Sequence, residues 1–250
     1  MKIERRQAEV SGVHIHYRVA GSGDPAVLIH GLSGSSRWWA RNMGPLATKF
    51  QVFSVDLIGF GYSRGKHRFV LSEAADFLAL WMQHIGITQA HVLGHSMGGY
   101  IAADLAANHP NRIDRLVLVD AAAVPFGRTY TQNILGLVHT SFRLPLSFWP
   151  ILVTDALRAG PLTILSAAHE LLTVNMTDRL RHIEAPTLIV WGELDTLIPV
   201  DIGYRLQASI PSSELVVLKR AGHNPMWDRP HEFNTLVLKF LTAPVALPLQ

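Results

Sequence analysis

Three residues far apart in a chain of 250 have the types that acyl chemistry on a serine requires: Ser96, Asp195 and His223. A serine hydroxyl is a weak nucleophile, and it reacts when a histidine takes its proton and a third group orients that histidine. Ser96 stands in Gly94-His95-Ser96-Met97-Gly98, a G-x-S-x-G pentapeptide. An apolar run (His91-Val92-Leu93) enters it and a helix-like pattern (Tyr100-Ile101-Ala102-Ala103) leaves it. Glycines at that junction let strand and helix approach closely, so the turn lifts the serine side chain into reach. The bland reading of Ser96 is a helix N-cap, for which neither glycine is needed. Of thirteen histidines, His223 is singled out by its loop, "RAGHNPMWDRP", just after the run "ELVVLK". Asp195 lies in "WGELDTLIP", also just beyond an apolar run. As plain structure these two would be a turn histidine and a loop-capping aspartate. Asp120 and Glu193 are rival acids, and the fit of its loop favours Asp195.

A tetrahedral intermediate also needs donors for its oxyanion. In "VLIHGLSGSSRWW" the N–H of Leu32 follows an early apolar run, and the N–H of Met97 follows the serine. These two form the expected pair. His30 is read as a brace for that loop. Trp38 and Trp39 are read as core packing, and His14 and His16 as surface residues, since two histidines without a third ligand make a poor metal site. No metal or other cofactor is expected.

The elements that must position these residues are legible from periodicity. Segments 3–10 and 13–19 alternate polar and apolar residues about Ser11-Gly12, as a hairpin does. Strand-length apolar runs follow at 26–30, 51–55, 91–95, 115–120, 187–192 and 214–219, with helical patterns near 36–48, 72–85, 98–108, 201–209 and 230–241. Such alternation predicts an α/β fold with a mainly parallel sheet covered on both faces. Ser96, Asp195 and His223 then all fall at carboxyl ends of strands, where ligands meet open sheets. The interval 124–182 breaks the rhythm. It has no clear strand but holds Pro125, Pro145, Pro150 and Pro161 among helical patterns, and it reads as a helical insertion. The core is accordingly placed at 1–123 and 183–250. The insertion is apolar enough to pack on the core or to line a pocket, and Ser33, Phe126, Leu137, Phe148 and Trp149 are the candidate pocket residues.

Composition narrows the function classes. The chain is 48% hydrophobic and 16% charged, a globular profile. Its net charge is +3 and its isoelectric point about 9.4, but the basic residues are scattered, which argues against nucleic acid as a partner. The absence of cysteine excludes disulfides and a thiolate nucleophile. No apolar stretch has the length of a bilayer span, and the start, "MKIERRQAEV", lacks the apolar core of a signal peptide, so a cytoplasmic protein without a membrane partner is expected.

"HG" at 30–31, "DLIGFGYS" at 56–63, "GHSMGG" at 94–99, "WGELD" at 191–195 and "GHNP" at 222–225 together resemble the α/β-hydrolase family. The resemblance spans nearly the whole chain, and the order serine, acid, histidine agrees with it. It implies an α/β-hydrolase fold with an eight-stranded, mostly parallel sheet flanked by helices, and the insertion at 124–182 as a cap. It places the family's catalytic residues on Ser96, Asp195 and His223, and its oxyanion donors on Leu32 and Met97. Asp56, Gly59, Gly61 and Ser63 match a family loop read as structural.

The expected activity is a serine hydrolase that cleaves small-molecule carboxylic esters of small to medium acyl groups through an acyl-enzyme. Three other readings stay open. The carbon–carbon bond hydrolases of aromatic degradation usually carry tryptophan after the catalytic histidine, where this chain has Asn224. Acyl transfer, including transfer to peroxide, would use the same residues. A ligand-sensing signalling protein is the third, although "GHSMGG" resembles ordinary esterases. Enzymes with aspartate at the elbow are set aside by Ser96.

Overall fold

A computed structural model describes residues 2–65, 68–125, 136, 139–140 and 143–244. The hairpin pairs β1 (Glu4–Val10) with β2 (Val13–Ala20), and Val10 opposes Val13 across the turn. Ser11 and Gly12 both have positive φ (50° and 77°), the two-residue turn whose twist suits flanking strands. Along β2 the residues Val13, Ile15, Tyr17 and Val19 are buried while His14 is exposed, so the alternation in the sequence is the alternation of faces.

Then follow β3 (Pro25–Ile29), β4 (Gln51–Val55), the two-residue β5 (Arg64–Gly65), β6 (Ala90–His95), β7 (Ile113–Val119), β8 (Thr187–Gly192) and β9 (Ser213–Leu218). The main sheet has eight strands in the order β1-β2-β4-β3-β6-β7-β8-β9, with β5 pairing β2 at the side. Pairs from β4 through β9 are parallel, and β2 meets both β1 and β4 antiparallel. The short β5 carries no periodicity that a sequence reading could detect.

Strand parity divides the core in two. Val27, Ile29, Val92, Leu116, Leu118, Ile189 and Trp191 face one cluster, which includes residues of α2 (Ala74–His84), α3 (Met97–Asn108) and α7 (Val200–Ser209). Leu28, Leu93, Val117, Val119, Leu188 and Val190 face the other, with α1 (Met43–Leu46), α8 (Pro225–Asp228) and α9 (Pro230–Thr242). Burial on both faces explains why these strands read as continuous apolar runs.

Between β7 and β8 the described residues form α4 (Trp149–Ala159), α5 (Pro161–Thr173) and α6 (Thr177–Leu180), and no strand. Pro150 and Pro161 stand in the first turns of α4 and α5, where a missing N–H is harmless. Gly160, at φ 77°, makes the 95° bend between those helices. No single helix among the described residues is long and apolar enough to cross a membrane.

Candidate active site

Ser96 is the single residue between β6 and α3, with φ 54° and ψ −116°. A positive φ on a residue with a side chain costs on the order of 1–3 kcal/mol and persists only where the surroundings impose it. Here they do. The Ser96 N–H donates to the Val119 carbonyl at 2.9 Å, and α3 starts at the next residue. A Cβ on Gly94 would strike the Gly98 carbonyl oxygen, and one on Gly98 would press on the backbone of Ile29 and His30. Only glycine at both positions lets β6, α3 and β3 come so close.

The three residues named from sequence converge at the carboxyl ends of β6, β8 and β9. His223 Nε2 lies 3.1 Å from Ser96 Oγ, and its Nδ1 lies 2.7 Å from Asp195 Oδ2. The other Asp195 oxygen accepts N–H bonds from Leu197 (2.8 Å) and Ile198 (3.0 Å), which aims the carboxylate at the imidazole. All three side chains are buried. The His223 loop is held by the Gly222 N–H, which donates to Asp228 Oδ2 at 2.8 Å.

The rival acids are engaged elsewhere. Asp120, at φ 42°, accepts from the Gly192 N–H at 2.9 Å, and Glu193 accepts from the Arg220 N–H at 2.9 Å. Burial, with the neighbouring Asp195 charge behind it, pushes the Asp120 carboxyl well above the usual carboxylate range.

Two buried histidines complete the floor. The Leu57 N–H donates to His30 Nε2 (3.1 Å), so the ring proton sits on Nδ1 and is donated to the Gly31 carbonyl (2.8 Å). His95 Nε2 donates to the His223 carbonyl at 2.7 Å, which leaves Nδ1 bare. Burial lowers the pKa of both, and the nearby His223 lowers that of His95 further. Ligand atoms of His95, Asp120 and His223 lie within 4.8 Å of one another. Both ring nitrogens of His223 are already bonded to Asp195 and Ser96, so the trio reads as polar packing rather than a metal cradle.

Loop 30–36 lies against the serine, where a Cβ on Gly31 would come within 3.1 Å of Ser96 Cβ. The Leu32 and Met97 N–H groups have no acceptor among the described residues. Asp56 braces the same loop, accepting from the Ser36 N–H at 2.6 Å and the Tyr62 N–H at 2.8 Å. Gly61, at φ 53°, leaves room for that carboxylate, and Ser63 Oγ donates to the Asp56 carbonyl. The structural reading of the 56–63 loop rests on those bonds.

The candidate pocket residues fare unevenly. Phe126 and Leu137 lie outside the described residues. Ser33, at φ 61°, is half-buried in loop 30–36, and Trp149 is partly exposed at the start of α4. Phe148 is only 1% exposed, wedged between Trp38 (ring centroids 5.1 Å) and Trp227 (5.0 Å). It therefore offers no surface to a substrate, because two aromatic faces already cover it. Thr140, Arg143, Leu144 and Leu194 line a small recess beside His223. A cavity of about 230 Å³ beside α2, lined by Ile15, Phe69 and Trp81, touches Asp56 and Leu57 but none of Ser96, Asp195, His223, Leu32 and Met97. Sequence reasoning missed Asp155, whose buried carboxylate reaches loop 30–36. Its one signal was a lone acid in the apolar stretch "WPILVTDALRA".

The sequence model of the alpha/beta hydrolase fold matches residues 24–144 and 125–230. The chain belongs to that family. As a hydrolase of the α/β fold it is 32% identical to a 2-hydroxy-6-oxononadienedioate/2-hydroxy-6-oxononatrienedioate hydrolase of Pseudomonas putida, covering 94% of each protein. It is also 32% identical to the dihydrolipoyllysine-residue acetyltransferase component of an acetoin cleaving system from Cupriavidus necator, over 94% of this chain and 68% of that protein. Among solved structures, a bacterial membrane phospholipase A matches with a TM-score of 0.84 at 27% identity, over 96% of this chain and 86% of that one.

Proposed function

We propose that this hydrolase is a serine esterase, with the helices between β7 and β8 serving as a cap over Ser96. The observation that carries the reading is the unbroken relay Ser96 Oγ–His223–Asp195 beside two uncommitted backbone N–H groups. Ser96 Oγ attacks the acyl carbon while its proton passes to His223 Nε2. His223 Nδ1–H stays donated to Asp195, whose charge stabilises the imidazolium. The Leu32 and Met97 N–H groups receive the oxyanion, and the N-terminus of α3 adds a favourable dipole. His223 then protonates the leaving alcohol and activates the water that releases the acid. No cofactor enters these steps.

The substrate side of the proposal is an ester of a small to medium, uncharged acyl group. The exposed large apolar side chains of α4 and α5 include Leu157, Leu162 and Leu165, and the only acid of α4, Asp155, is buried and paired. Each methylene that enters an apolar pocket adds about 0.8 kcal/mol of transfer free energy, roughly fourfold in affinity. Specificity should therefore rise with acyl length until the pocket is full.

A second reading, cleavage of the carbon–carbon bond in a dienone acid, has one observation in its favour. Arg143 stands in the recess beside His223, where a substrate carboxylate would find a cation, and the Pseudomonas putida relative is named for that class of substrate. Asn224, where tryptophan is usual, weighs against it. The discriminating measurement is kcat/KM for p-nitrophenyl esters from acetate to palmitate beside a 2-hydroxy-6-oxo-dienoate, in wild type and Ser96→Ala. A maximum at short or medium acyl length, lost in Ser96→Ala, supports the esterase. Preference for the dienoate, reduced by Arg143→Ala, supports the second reading, and turnover that survives Ser96→Ala refutes both.

A further inference from the structure

Helix α4 reaches into the loop that carries the Leu32 donor through one carboxylate. Asp155 is fully buried, and both of its oxygens are committed. Oδ2 accepts from Ser35 Oγ at 2.7 Å, and Oδ1 pairs with Arg37 Nη2 at 2.5 Å. Arg37 Nη2 also donates to Thr154 Oγ1 and to the Ile151 carbonyl (3.4 Å), so one guanidinium grips the helix backbone and two of its side chains. Ser35 Oγ in turn accepts the Arg37 N–H at 3.2 Å and caps the short turn Ser36–Trp39. The contact joins residues 120 positions apart in the chain.

The same loop is tied to the sheet side by Asp56 and Ser54, which hold the N–H and carbonyl of Ser36. Between that fixed point and His30, the backbone makes a single turn closed by Gly34 N–H to the Gly31 carbonyl (3.1 Å), with Ser33 at φ 61°. Leu32 sits inside this turn. The His30 ring holds its near end at the Gly31 carbonyl, Asp56 and Ser54 hold its far end at Ser36, and the carboxylate from α4 holds its outer side at Ser35.

We propose that Asp155 is a positioning residue for the oxyanion donor, coupling the docking of α4 to the placement of the Leu32 N–H. A donor helps only when it points to where the oxyanion forms, and small misplacement is expensive in rate. The pair is also unsymmetrical. With Asp155 neutralised, the partly buried Arg37 loses its counter-charge and the loop loses its outer anchor together, so local order suffers more than one neutral hydrogen bond would suggest. The catalytic part of this inference rests on the proposed serine chemistry, whereas the coupling of helix to loop does not.

The test compares Asp155→Asn, Ser35→Ala and Ile151→Ala in the full-length protein. Ile151→Ala removes apolar packing of the same helix but leaves the polar contacts in place. Two measurements are made: ester kinetics with inhibition by an alkyl boronic acid, and hydrogen exchange of the amides of residues 31–36. For Asp155→Asn we expect kcat to fall about 10- to 100-fold with KM little changed, and boronate affinity to weaken in parallel, as for a contact realised in the transition state. Ser35→Ala should show a smaller loss of the same kind, and Ile151→Ala should lower the melting temperature without it. Exchange at 31–36 should quicken in Asp155→Asn and Ser35→Ala, not in Ile151→Ala. The inference is overturned if Asp155→Asn leaves kcat and exchange at wild-type values, or if Ile151→Ala reproduces both effects. A wild-type protein inert to esters would count against the proposed function, and the exchange data would still decide the coupling. Should Asp155→Asn fail to fold, Ser35→Ala against Ile151→Ala decides by the same criteria.

Discussion

The Asp120 carboxyl is buried against that of Asp195, yet only Asp195 hydrogen-bonds to the His223 ring. Both acids follow strands of one sheet, Asp120 directly after β7 and Asp195 in the loop after β8, and both were chemically eligible partners for the histidine. Two N–H groups, from Leu197 and Ile198, turn Asp195 toward the ring, while the Gly192 N–H holds Asp120 at the sheet.

That difference in aim predicts a difference in rate. Asp195→Asn should lower kcat by about 10⁴-fold, since the imidazole loses its tautomer-fixing acceptor. Asp120→Asn keeps the acceptor for Gly192 and mimics a protonated acid, so its loss should stay within about tenfold. Steady-state ester kinetics on both variants, at matched fractions folded, check the ranking. The reverse order would assign the relay to Asp120.

A pH dependence follows from the same neighbour. Burial, then the Asp195 charge, raises the folded-state pKa of Asp120. Below the unfolded value, about pH 4, the acid is protonated in both states and costs nothing. As pH rises, the unfolded chain releases the proton first, so stability falls until the pH passes the raised folded value. Asp120→Asn cannot titrate. Its stability advantage over wild type should be near zero at about pH 4 and widen toward neutrality, as read by urea unfolding at several pH values. An advantage that shrinks with rising pH would contradict the assignment.

Ser96 combines strain with reactivity, and substitution can separate the two. Ser96→Gly should relieve the positive φ and raise stability by up to about 1–3 kcal/mol while abolishing labelling by a fluorophosphonate. Thermal melting and mass spectrometry of the labelled protein measure the two effects. A less stable glycine variant would mean that the backbone at Ser96 is not under strain.

Phe148 should behave as a core residue. Removing its ring from between Trp38 and Trp227 should cost about 3–5 kcal/mol of stability, as large-to-small core substitutions do. Chemical denaturation of Phe148→Ala checks this. A change in substrate preference at unaltered stability would return Phe148 to the pocket.

How much of this was legible without a structure depends on the range of the interactions. The elbow at Ser96 was readable because its requirements are local: glycine at 94 and 98, an apolar strand before and a helix after, all within about ten residues. Strand positions were readable because burial on both faces of a parallel sheet imposes continuous apolar runs. The hairpin was readable because Ser11-Gly12 suits a turn with two positive φ angles. Strand β5 was not, since two residues carry no period.

The choices left open were those made by side-chain aim across long separations. Spacing left Asp120 as a rival to Asp195, which only the fit of its loop favoured. The decision came from three backbone N–H groups whose directions exist only once β8 and its loop are built. Phe148 looked like any aromatic residue of an apolar insertion, and only the approach of Trp38 and Trp227 made it core. Asp155 was a single carboxylate in an apolar helix, with nothing in its neighbours to name Ser35 and Arg37 as partners. A chain announces by its local pattern which groups can react. Which of them meet, and in what charge state, is decided by packing, because hydrogen-bond direction and desolvation are properties of the assembled site.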